Sequence, residues 1–144
     1  MSLEQERSDL WVRMYEVVTD HLAGRRAAVA EQLGISFIKA KALRRLLPHP
    51  LGMGELTAEL NTDPPYTTLL VDDLVDRDLV ARATDPSDRR RKLVALTPRG
   101  AELARAAQRI LAEPPAGFDR LEPEDLHRLV AMFNQMSVGH FGRS

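Results

Sequence analysis

The chain has 144 residues, of which 44% are hydrophobic and 28% charged, with a formal net charge of −1 and no cysteine. That length and composition suit one folded domain and exclude a disordered tail, and the lack of cysteine excludes disulfides, thiolate nucleophiles and Cys-ligated zinc. No run reaches the roughly 18 apolar residues of a membrane span, and MSLEQERSDLW has no signal-peptide pattern, so a cytoplasmic protein away from membranes is expected.

In chain order, Leu10, Trp11, Met14, Tyr15, Val18 and Leu22 recur at three- and four-residue steps, with Arg13, Glu16, Asp20 and Arg25 between them. This spacing predicts an amphipathic helix, which Gly34 interrupts. Ser36 is placed to cap a second helix carrying Phe37, Ala40, Leu43 and Leu47, and Pro48 and Pro50 end it. A short apolar piece, Leu51 to Met53, leads into GELTAEL, a helix of about two turns with Leu56 and Leu60 inward. Asn61 and Thr62 form a turn. Asp63 then caps a fourth helix, because Pro64 and Pro65 have no N–H and leave Tyr66 as the first donor. In that helix Leu70, Val71 and Leu74 face the core, while Tyr66, Thr68, Leu69, Asp72 and Asp73 face outward.

Two short alternating runs, Val80 to Thr84 and Leu93 to Thr97, predict a hairpin. Thr97 caps a long helix with Pro98 at its first position and with Leu103, Ala106, Ala107, Ile110 and Leu111 along one side. A last helix begins near Pro123, with Leu126, Leu129, Val130, Phe133 and Met136 as its stripe. The expected fold is mostly α with a small β-hairpin wing: a winged helix-turn-helix in the middle of the chain, with further helices at both ends. Between the two wing strands lies DPSDRRRK, and Arg89, Arg90, Arg91 and Lys92 sit where a wing tip would meet phosphates. Arginine suits such a tip, since its planar donors match phosphate oxygens and it inserts well into a narrow minor groove.

The wing segment resembles that of the MarR (multiple antibiotic resistance regulator) family of transcriptional regulators. The pattern Asp, any residue, Arg, five residues, Leu-Thr, two residues, Gly is present as Asp88, Arg90, Leu96, Thr97 and Gly100, and GELTAELNTDPPYTTLLVDDLVDRDLV is similar to the family's helix-turn-helix. The resemblance implies a homodimer whose first helix and last two helices form a dimerisation region, residues 1–34 and 98–144, around a DNA-binding domain of residues 35–97. Leu10, Trp11, Met14 and Val18, with Leu129, Phe133 and Met136, would form the dimer interface. It also implies a pseudo-palindromic operator with recognition helices roughly 34 Å apart, and a repressor that answers to a small aromatic or phenolic effector. Arg90 would enter the minor groove, oriented by an ion pair with Asp88, while Arg89 and Arg91 contact the backbone. Trp11, Tyr15 and Phe37 would line the effector pocket.

The expected DNA-facing set on the helices is Lys39, Pro65, Tyr66, Thr67, Thr68 and Leu69, with Leu69 placed to touch a thymine methyl. The recognition helix departs from the family pattern. Thr68-Leu69-Leu70-Val71-Asp72-Asp73-Leu74 carries no cation where relatives have arginine, and Asp73 is expected to repel phosphate. Binding would therefore lean on the wing and on Lys39, Lys41, Arg44 and Arg45, with a shallow salt dependence. Histidines 21, 49, 127 and 140 are scattered without metal-ligand spacing, and Asp72 with Asp73 and Glu122 with Glu124 read as solvated helix faces and ends. No metal, cofactor or catalysis is expected. The alternative to a DNA-binding regulator is a winged-helix protein-interaction module with weak or no specific DNA binding.

Overall fold

The computed structural model describes residues 1–137. Helix α1 spans Leu3–Leu33. Its start is a capping box, in which Gln5 N donates to Ser2 Oγ at 3.2 Å while Ser2 N donates to Gln5 Oε1 at 2.9 Å. Gly34 ends it in the left-handed region, φ 66°, with its N–H on the Ala30 carbonyl. Next come α2 (Phe37–Arg45), β1 (Leu51–Gly52), α3 (Met53–Leu60) and α4 (Pro64–Asp76). The Asp63 cap holds as read, its Oδ1 accepting from Tyr66 N at 2.9 Å. Strands β2 (Val80–Thr84) and β3 (Lys92–Leu96) form the hairpin; α5 (Pro98–Leu111), a 3-10 turn (Ala116–Arg120) and α6 (Pro123–Met136) complete the order.

The sheet is antiparallel in the order β1-β3-β2, so β3 is central, with Val94 opposite both Leu51 and Arg82. Strand β1 ties the start of the helix-turn-helix to the stem of the hairpin. The core gathers Val29 of α1, Ala40 and Leu43 of α2, Leu56 of α3, Leu70, Val71 and Leu74 of α4, Val94 of β3, and Ala104 and Ala107 of α5. Small residues on α5 let α1 and α2 approach its axis closely.

The chain divides into two compact units, Met1–Glu113 and Pro114–Ser144. In the first, only Ala28 and Val29 of α1 are buried, so the apolar stripe at its N-terminal end, including Leu10, Trp11, Tyr15 and Val18, is exposed. In the second, the 3-10 turn follows from Pro115, whose carbonyl accepts from Phe118 N at 2.9 Å, and the stripe of α6 is likewise exposed. The structure corrects three details. The buried line of α5 is Gly100, Ala104 and Ala107, with Leu103, Ile110 and Leu111 only partly covered; β3 lies one residue earlier than read; and a 3-10 turn precedes the last helix. His140 and the end of the range 98–144 lie outside the described residues.

Candidate nucleic-acid interface

Helix α4 places Pro65, Tyr66, Thr68 and Leu69 outward; Leu69 is 69% and Tyr66 43% exposed. Thr67 does not join them. It is fully buried, its hydroxyl 2.8 Å from that of Thr57 and 3.0 Å from the Asp63 carbonyl, so it knits α3 to α4 and presents no side chain to a ligand. The physical reason is position: Thr67 stands three residues before Leu70 and four before Val71, on the buried face of the helix.

Acids on α4 are paired within the fold. Asp72 Oδ1 accepts from Arg82 Nη2 of β2 at 2.5 Å. Asp73 Oδ2 lies 2.7 Å from Lys39 Nζ and 2.8 Å from Arg77 Nε. The hydrogen bond from Lys39 is the main cause holding the Asp73 carboxyl below the ordinary aspartate range, with Arg77 adding to it. Asp73 is thus largely neutralised, which corrects the picture of a bare carboxylate opposing phosphate, and Lys39 is a carboxylate partner before it is a phosphate donor. Of the other α2 cations, Arg45 lies 3.6 Å from Glu59. Arg44 is partly withdrawn from solvent, its Nε buried without a hydrogen-bond partner, and burial, then the neighbouring Arg45, lowers its pKa.

The wing is built around Asp85. Its Oδ1 accepts from Ser87 Oγ at 2.7 Å and Ser87 N at 2.9 Å, an Asx turn that holds its carboxyl below the ordinary range. Asp88 Oδ1 accepts from the backbone N–H of Arg90 at 3.0 Å. Among the described residues no ion pair joins the Arg90 guanidinium to Asp88, so the expected pair is replaced by a turn-forming hydrogen bond. Arg91, though exposed like its neighbours, is engaged: it pairs with Glu55 of α3 and, at 3.7 Å, with Asp85, lying over Gly52, where a Cβ would stand 2.7 Å from its Nη2. Arg89 and Arg90 remain as exposed wing cations without a carboxylate among the described residues; Lys92 donates to Thr84 Oγ1 at 2.9 Å. Arg82, Glu55 and Asp85 were missed in the sequence. Only Asp85 had a local signal, the Asp-Pro-Ser turn.

The three proposed pocket residues are not brought together within one chain. Trp11 and Tyr15 pack on each other, ring centroids 6.3 Å apart, whereas Phe37 lies under the Arg26 guanidinium at 4.5 Å. Arg26 follows Trp11 by 15 residues on the same helix, about 22 Å of rise. Among the described residues no cluster of His, Asp or Glu is arranged to hold a metal ion, and no helix is long and apolar enough to cross a membrane.

Residues 42–92, from α2 to the start of β3, match the family model described as the MarR family. The fold is similar to that of YusO from Bacillus subtilis, with a TM-score of 0.72 and 22% identity over 96% of this chain and 99% of that one. It is also similar to RV1404 from Mycobacterium tuberculosis, with a TM-score of 0.73 and 22% identity over 100% and 98%. For MepR of Staphylococcus aureus in complex with DNA, the TM-score is 0.58 and the identity 22%, over 88% and 98%. A search of curated proteins found no match.

Proposed function

We propose, from the match of residues 42–92 to the MarR family model, that the chain is a homodimeric, ligand-responsive transcriptional repressor that binds double-stranded DNA at a pseudo-palindromic operator. The observation that carries this reading is the pairing of two exposed, carboxylate-free arginines at the wing tip, Arg89 and Arg90, with a neighbouring helix whose outward face is Pro65, Tyr66, Thr68 and Leu69. The N-terminal half of α4 enters the major groove, and Arg90 enters the adjacent minor groove. Asp88 acts by fixing the backbone on which Arg90 stands. Arg89 contacts phosphate.

Homodimerisation is supported by the exposed apolar faces of α1 and of α6, each left without cover by the described residues of its own unit. On α1 the face is Leu10, Trp11 and Val18; on α6 it includes Leu129 and Met136. MepR, a relative in fold, is a transcription regulator of a multidrug efflux pump. A small aromatic or phenolic effector fits the same kind of regulator here, acting by favouring one spacing of the two recognition helices over another.

The test is binding of the purified protein to its own upstream intergenic DNA, across salt concentrations, beside Arg90→Ala and an unrelated duplex. Specific binding that Arg90→Ala reduces by about tenfold or more, the scale of one lost base-groove contact, is expected. Equal binding to both duplexes overturns the reading and favours a protein-interaction module.

A further inference from the structure

We propose that Leu69 is a specificity-determining residue that reads the 5-methyl group of thymine, so that the operator half-sites are thymine-bearing where α4 docks. This rests on the DNA-binding reading above and adds to it the base chemistry that the helix selects. Helix α4 buries Leu70, Val71 and Leu74, yet leaves Leu69 69% exposed on the opposite face, one turn from the exposed ring of Tyr66. The two carboxylates beside it are already engaged within the fold. Asp72 is occupied by Arg82, and Asp73 by Lys39 and Arg77.

A guanine is read in the major groove through its O6 and N7 acceptors, which call for a free arginine or lysine. The outward face of α4 between Pro65 and Asp73 has none. Among the features that base pairs present in the major groove, the thymine methyl is the apolar one, and an exposed leucine gains by covering it. Charge agrees with this assignment. The approach to phosphate is made by Arg89 from the wing, and a minor groove narrow enough to attract Arg90 is a property of A·T tracts. Both reading elements therefore point to the same base composition.

The experiment uses the full chain and the upstream fragment after its protected half-sites have been footprinted. Each thymine in a half-site is replaced by deoxyuridine, which keeps the base pairing and the O4 acceptor and removes only the methyl group. Wild type is expected to bind the substituted duplex about fourfold more weakly per methyl covered, the factor that burying one such carbon carries. Leu69→Ala is expected to bind the thymine duplex more weakly and to show no preference between the two duplexes. That coupling separates a direct contact from a change in DNA shape. Because Leu69 lies outside the core, the variant should melt with wild type.

Indifference of wild type to the methyl overturns the inference, as does a methyl preference that survives in Leu69→Ala. The two failures are distinguishable. If wild type prefers the upstream fragment and Arg90→Ala loses it while uracil has no effect, the regulator reading stands and the role of Leu69 falls. If wild type treats every duplex alike, both fall.

Discussion

A methyl group added at Gly100 would lie 1.9 Å from the carbonyl oxygen of Leu79. That contact explains two positions of the wing pattern at once. Thr97 Oγ1 donates to the Asp78 carbonyl at 2.7 Å and accepts from Gly100 N at 3.0 Å, so it caps α5 while holding it against the end of α4 and the start of β2. Gly100 is the residue on which that approach depends. Gly100→Ala is expected to lower stability by about 1–3 kcal/mol, the usual cost of overpacking, read as a drop in the urea midpoint at constant slope. The caps were legible in the sequence because a capping oxygen and its N–H lie three residues apart; Ser36, Asp63 and Thr97 all stand where their neighbours placed them. Thr67 was misread for a related reason. A threonine beside exposed Tyr66 and Thr68 looks polar and outward, and its partner hydroxyl on Thr57 belongs to another helix.

Between elements, the decisive contacts join residues distant in sequence. Arg82 ties β2 to α4 through Asp72, Lys39 ties α2 to α4 through Asp73, and Arg91 ties the wing stem to α3 through Glu55. Helices and strands were legible from periodicity and turn residues, but these pairings were not, because no local pattern says which carboxylate an arginine will meet. The Asp73 carboxyl, depressed first by the Lys39 hydrogen bond, gives a testable consequence. A carboxylate whose folded pKa is depressed contributes stability that is complete above the ordinary value of about 3.9 and is lost as pH falls through the lower folded value. Asp73→Asn is therefore expected to be less stable than wild type at neutral pH, with the gap closing on acidification. Chemical unfolding of both proteins between about pH 7 and pH 2 checks it; a gap that is constant with pH would count against the pair.

At the scale of the molecule, the apolar residues of α1 were legible as a stripe, and the fold adds how far each is exposed. Periodicity shows that Leu10, Trp11 and Val18 share a side, and the fold shows that the rest of the Met1–Glu113 unit leaves that side uncovered. Val18→Asp, at a position 61% exposed in the single chain, is expected to convert a two-chain species into a one-chain species in sedimentation. It should also raise the protein concentration needed for operator binding about tenfold or more, since a carboxylate in an apolar interface must be desolvated. An unchanged mass would show that this face is not where two chains meet.

The internal pairing of Lys39, Arg77, Arg82 and Arg91 with carboxylates has a consequence for how such a protein locates its target. Sequence-independent affinity for a duplex comes from counterions released by free cations, and this surface offers few of them. On the proposed regulator reading, duplexes of unrelated sequence are then expected to retain the protein weakly, and fewer copies to be sequestered away from the operator.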